Sequence, residues 1–147
     1  MSRRLKQVAV VVVVVLAVAQ LIRPSRTNPP TDPSRTLAAH LGPGGSGVVS
    51  VLDRSCGDCH SNATTWPGYT QVAPLSWLMA YTVKEGRKRV NFSEWASYSP
   101  ESQQGLLAAS CQAASSGKMP GSAWTTLHPE TRLSSEDVQT ICAAAHS

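Results

Sequence analysis

Two thiols and an imidazole stand within five consecutive residues, Cys56-Gly57-Asp58-Cys59-His60, and that spacing restricts what they can do. Cysteines three positions apart on one helical turn point to the same side. They can reach the two vinyl groups of a single haem and form thioethers, while the histidine that follows sets a ring nitrogen on the iron. Other uses of the pair fit less well. A thioredoxin-like redox couple calls for a βαβ context, and no such pattern is present. A structural zinc site calls for a second closely spaced ligand pair, whereas Cys111 and Cys142 stand apart. The remaining alternative is chance occurrence of the pentapeptide.

The elements that must position this motif are helical. Val48, Val49, Val51 and Leu52 predict a short helix running into Cys56. A second is predicted from Pro74 to about Val90, with Leu75, Leu78, Met79 and Thr82 near helical spacing. Ser99-Pro100-Glu101 combines a cap, a proline at the first helical position and an acid in the first turn. The helix it opens carries Leu106, Leu107, Cys111 and Ala114 and stops at Gly117. Ser134 to Asp137 resembles a capping box with Asp in place of Glu, followed by Val138, Ile141 and Cys142 on an inner face. Alternating strand patterns are nearly absent, so the fold expected is all-α, a helical domain around one covalent haem. The aromatic inventory of one Phe, four Trp and three Tyr is thin, and a large apolar cofactor would make good that deficit.

The 147 residues suffice for one compact domain with a tail. Three segments are read: 1–22, 23–46 and 47–147. The first starts with Arg3, Arg4 and Lys6 and continues into an unbroken apolar run, Val8 to Ala19, then Gln20-Leu21-Ile22. From Leu5 to Ile22 a helix rises about 27 Å, close to a bilayer's hydrocarbon thickness. It is expected to be an uncleaved N-terminal membrane helix, with Ala17-Val18-Ala19 offering cleavage of a leader as the alternative. Its basic flank predicts a bacterial inner-membrane protein with the domain in the periplasm or extracytoplasmic space. Residues 23–46, rich in Pro, Thr, Ser and Gly, read as a flexible tether. The net charge of +4 resides in the tail, since five basic residues and no acid fall within residues 1–26, against 8 basic and 9 acidic beyond them. Nucleic-acid binding therefore gains no support. Cys111 and Cys142 form an even pair in an oxidising compartment, each on the apolar face of a predicted helix, so a disulfide between those helices is expected; two separate buried thiols are the alternative.

The sequence resembles the bacterial haem-binding domain family, small exported or membrane-tethered relatives of cytochrome c. The residues that carry the resemblance run from Cys56 through His60, Asn62, Thr64, Trp66, Pro67 and Tyr69, then Ala73-Pro74-Leu75-Ser76-Trp77. They continue with Glu85-Gly86-Arg87, Asn91 to Trp95, Lys118-Met119-Pro120, Leu127-His128-Pro129 and Ile141-Cys142. Gln20 to Pro24 also looks like the end of that family's uncleaved anchor. Gly121 replaces a common second proline, Trp124 a usual tyrosine, and no tryptophan follows Cys142. The resemblance implies haem binding and leaves the physiological partner open.

Candidates for the iron's sixth partner are Met119, His128, Met79, His40 and His146. Met119, on a loop 59 residues beyond His60, sits much like the distal methionine of cytochrome c and is preferred. His128 is expected to be a loop histidine bonded to backbone. Pro74 resembles the proline whose carbonyl accepts the N–H of the proximal histidine in cytochrome c. At least two of Trp66, Trp77 and Trp95 are expected against the haem ring, which would supply most of this core. Arg87, in the basic run Lys84 to Arg89, is expected to neutralise a haem propionate, its neighbours steering an acidic redox partner. The function expected is electron transfer between redox partner proteins rather than enzymic catalysis. A haem-based peroxidase or small-ligand sensor with an open sixth site is the alternative, and haem delivery is opposed by covalent attachment.

Overall fold

The computed structural model describes residues 2–146, and among them are seven α-helices, several 3₁₀ turns and no strand. The helices are α1 (Arg3–Ala19), α2 (Leu37–Leu41), α3 (Ser46–His60), α4 (Leu75–Arg89), α5 (Pro100–Ser115), α6 (Ser122–Leu127) and α7 (Ser135–Ala144). The all-α reading agrees with this architecture. Local signals act where they are read. The Ser99 hydroxyl accepts from the Ser102 amide to start α5, and beyond its end Gly117 adopts φ +66°, the left-handed region that favours glycine. Ser134 and Asp137 exchange side-chain and backbone hydrogen bonds in a capping box that opens α7.

Helix α3 lies between α4 and α7, and α5 packs along α7. Its inward face contributes Val48 and Leu52 to a core completed by Leu37, Val90, Phe92, Trp95, Leu107 and Ile141. The Cys111–Cys142 disulfide ties α5 to α7, with Cα atoms 4.7 Å apart. Closing a loop of 31 residues, it stabilises the fold by about 3 to 4 kcal/mol through the entropy removed from the unfolded chain. Arg54, two residues before Cys56, fastens α3 to the end of the chain. Its Nη1 donates to the carbonyls of Glu130 (2.8 Å) and Arg132 (3.2 Å), and its Nη2 meets Asp137 at 2.9 Å.

The expected N-terminal membrane helix is not supported, and the inner-membrane placement that depended on it falls too. No helix among the described residues is long and apolar enough to cross a membrane. Helix α1 has 17 residues, a rise of about 26 Å, and three basic residues in its first turn shorten the apolar part further. Leu21 and Ile22, counted in the span, leave the helix. Gln20 turns the chain onto the domain: its side-chain oxygen accepts from the Ala73 amide at 3.1 Å, its amide nitrogen reaches the Ala73 carbonyl at 3.4 Å, and the Ile22 carbonyl accepts from the Trp77 indole at 2.8 Å.

Residues 23–46, read from composition as a flexible tether, form a mostly exposed strap that is bonded to the domain at several points. Leu37, 2 % exposed, enters the core from α2. Arg26 donates to the Thr70 carbonyl at 3.0 Å, Asn28 to that of Thr64 at 2.8 Å, and Arg35 pairs with Glu94 at 3.7 Å. Proline and glycine remove the periodic signal of a helix, but they do not stop a segment from hydrogen-bonding to a neighbouring surface.

Helix α4 comes close to α3 at Gly86, where a Cβ would collide with the Cys59 carbonyl and come within 3.0 Å of its carbonyl carbon. Backbone cannot yield there as a flexible side chain would. Gly86→Ala is therefore expected to lower unfolding stability by about 1 to 3 kcal/mol, measured by denaturant titration. An unchanged midpoint would show that the two helices separate freely.

Candidate functional site

The motif occupies the last turns of α3, where Cys56, Cys59 and His60 are all half-buried. Cys56 leans against the core cluster. Both thiols are free, although the other two cysteines are joined. Burial pushes each up to about 11, reinforced at Cys56 by the Cys59 thiol and at Cys59 by the Asp58 carboxylate. Such thiols are protonated at neutral pH, unlike the lowered thiolate of a thioredoxin-like pair.

His60 points Nδ1 at the Val90 carbonyl, 3.2 Å away. Burial lowers its pKa, partly opposed by the carbonyls of Val90 and Gly86. A neutral ring donating from Nδ1 keeps the lone pair of Nε2 free, the protonation state in which an imidazole binds iron. Pro74, expected to supply that carbonyl, does not. It is exposed at the start of α4, and its oxygen accepts from the Trp77 and Leu78 amides. Val90 closes the same helix at its other end, so the acceptor still comes from α4's boundary.

The loop after the motif is tied down by residues whose roles the sequence did not disclose. Asp58, one of the two spacer residues, accepts from the Thr65 amide at 2.6 Å through its carboxylate and from the Thr64 hydroxyl at 2.7 Å through its carbonyl. Asn62, 2 % exposed, receives the Asn91 amide on its side-chain oxygen at 2.8 Å and donates to Glu94 at 3.2 Å, while its backbone N–H donates to the Ser93 hydroxyl at 2.9 Å. An Asn in a short polar loop gives no sequence signal that its partners lie some thirty residues away.

Arg87 is the most heavily bonded of the expected site residues. Its Nε donates to the Ser61 carbonyl (2.7 Å), Nη1 to the Thr27 carbonyl (3.1 Å), and Nη2 to Thr64 Oγ1 (2.9 Å) and Asn28 Oδ1 (3.1 Å). Trp66 and Trp77 share a groove of about 590 Å³ with it, and their indole N–H groups also bond to Asn28 in the strap and to Ile22 just ahead of it. Trp95 is elsewhere, fully buried between Phe92 and Tyr98 with ring centroids 6.3 and 5.7 Å away. Its indole nitrogen and the Ser55 hydroxyl are buried without hydrogen-bond partners. Unsatisfied donors cost about 1 to 3 kcal/mol each, and these two sit next to Cys56 in sequence or in the core that Cys56 touches.

Met119 lies 46 % exposed on the loop between α5 and α6, its amide bonded to the Ala113 carbonyl at 3.1 Å. Met79 is buried on α4, and His40 and His146 are exposed. His128 bonds to side chains rather than to backbone: Tyr69 Oη lies 2.7 Å from Nε2, and Glu130 lies 3.3 Å from Nδ1.

A helical domain that ends a central helix in two free thiols and a neutral imidazole has the donor set of a haem site. The family model described as haem-binding domain matches residues 14–147, and the chain belongs to that family; it is a haem protein. No curated protein and no solved structure matches it. The fit to haem rests on the chain's own groups: a histidine with one nitrogen committed to Val90, free thiols on the same turn, and buried donors lacking acceptors. Haem would supply an iron centre here, and His60 is the side chain of the motif that would bind it.

Removing the guanidinium should free the strap. Arg87→Met is expected to speed tryptic cleavage after Arg26 and Arg35 severalfold. Arg87→Lys should recover little, because an ammonium cannot span four acceptors. Digestion at the wild-type rate in both variants would mean that the strap is held by other contacts.

Proposed function

We propose that this haem protein is a c-type cytochrome and an electron carrier. One haem is bound covalently through Cys56 and Cys59, its iron is held by His60 and Met119, and single electrons pass to and from redox partner proteins in an oxidising compartment. The observation that carries the reading is the motif on one helix end, with its two thiols free while Cys111 and Cys142 are paired. When bound, haem supplies the one-electron couple. The chain keeps His60 neutral and oriented through Val90, excludes water with Trp95 and Phe92, and anchors the loop after the motif through Asp58, Asn62 and Arg87. Trp95, Trp66 and Trp77 are assigned to apolar contact with the cofactor and its surroundings, and Pro74 to the start of α4.

Arg87 is assigned to a haem propionate through the one guanidinium N–H that its bonds to Ser61, Thr27, Thr64 and Asn28 leave over. Lys84, Lys88 and Arg89 remain on the outer face of α4, Lys88 paired with Glu85 at 2.7 Å, and form the basic surface offered to an acidic partner. The exposure of Met119 favours a second reading, a labile sixth site that admits peroxide or a diatomic ligand.

Two measurements test these readings. After maturation with c-type haem machinery, haem should remain with the wild-type chain through acid-acetone extraction, and Cys56→Ala with Cys59→Ala should release all of it. Complete extraction from the wild type would overturn covalent attachment. Thioether ligation should give ferric protein a weak far-red charge-transfer band and a raised potential. Met119→Ala should abolish the band, lower the potential and admit carbon monoxide, and a wild type that already binds carbon monoxide readily would favour the second reading.

A further inference from the structure

The segment that carries Met119 has little packing of its own. Met119 is 46 % and Leu127 63 % exposed, and no residue of α6 is buried. Its position is set by fasteners at its ends. Behind Met119, the amides of Lys118 and Met119 both reach the Ala113 carbonyl, at 3.0 and 3.1 Å. Ahead of it, α6 runs directly into His128, whose amide donates to the Trp124 carbonyl at 2.8 Å and whose ring stacks on the Trp124 indole with centroids 3.9 Å apart. The same imidazole meets Tyr69 Oη at 2.7 Å, across 59 residues of sequence. Tyr69 belongs to the 3₁₀ turn Gly68–Gln71, shortly after the motif.

We infer that Tyr69 and His128 form a latch that positions the Met119 loop relative to the haem motif, so that His128 acts on the sixth ligand without touching the iron. The inference rests on Met119 as that ligand. Tyr69 Oη lies against Nε2 and the Glu130 carboxylate against Nδ1, so both ring nitrogens are engaged and neither is left for a metal. One end of the latch is fixed by Arg54, which holds the Glu130 carbonyl against α3. The other is fixed by the Thr70 amide on the Pro67 carbonyl. Between these fixed ends, α6 and the Met119 loop hang from the Trp124–His128 stack.

The haem-loaded full chain tests this. Tyr69→Phe removes one hydroxyl and keeps the ring, and His128→Leu removes the acceptor, whereas His128→Gln keeps a side-chain acceptor. Tyr69→Phe and His128→Leu are expected to weaken the sulfur-to-ferric band and raise the carbon monoxide on-rate by about two- to tenfold, the span of one hydrogen bond's net contribution. The double variant should do no more than either single, and His128→Gln should restore most of the band. Unfolding midpoints measured alongside separate loop release from loss of fold, because a purely structural bond would lower the midpoint and leave band and on-rate alone. If Met119→Ala abolishes the band but Tyr69→Phe and His128→Leu do not alter it, the latch is wrong and the ligation stands. If Met119→Ala changes nothing, the ligation fails and the latch with it. If His128→Leu alone opens the iron while Tyr69→Phe does not, His128 is itself the ligand and the inference is overturned.

Discussion

A helix that ends at His60 leaves its last carbonyls without partners inside the helix, and in this chain the way those groups are used governs everything around the motif. The Asp58 carbonyl takes the Thr64 hydroxyl, the Cys59 carbonyl lies against Gly86, and just past the helix the Ser61 carbonyl takes Nε of Arg87. Each contact draws a different element toward the same helical end. Thr64 brings back the loop that follows, Gly86 brings α4 into near contact, and Arg87 reaches past the loop to the strap. The histidine could not hold a fixed direction on a frayed terminus. Here its ring is set by a carbonyl at the far end of α4, whose distance from α3 is fixed by the absence of a side chain at Gly86.

Neutral partners for Arg87 are part of the same economy. A guanidinium keeps its charge in almost any protein environment, and burial lowers the pKa of Arg87 without a carboxylate to compensate. Carbonyls and hydroxyls at four corners solvate it in place of water.

Much of this was legible in the sequence and some of it was not, for identifiable reasons. Signals that act within one turn, such as Ser99 with Pro100, Gly117, and Ser134 with Asp137, gave the helix ends, because capping depends on neighbours a few residues away. The spacing of Cys56, Cys59 and His60 is likewise local. Contacts between distant segments had no such signature. Nothing around Val90 marks its carbonyl as the partner of His60, and proline-rich composition hid the strap whose Thr27 and Asn28 meet Arg87. Hydropathy alone also overstated the N-terminal helix, since Gln20, Leu21 and Ile22 were counted in an apolar span but follow α1 and turn onto the domain, where Gln20 and Ile22 bond to Ala73 and Trp77.

The segments that carry His60 and Met119 are therefore held to unequal degrees. On the proximal side, His60 is constrained by buried groups, and the Asn62, Asn91 and Ser93 network that supports its loop is nearly closed to solvent. The Met119 loop, by contrast, is open and depends on a few directional bonds at its margins. A hydrogen bond in solvent contributes little net stability, yet its geometry is still specific. Under the proposed ligation, His60 would be fixed firmly and the hold on Met119 would be adjustable by single side chains that do not touch the iron. On that proposal, small changes at Tyr69, Trp124 or His128 would shift the balance between a closed carrier and an open ligand-binding site without any change in Cys56, Cys59 or His60.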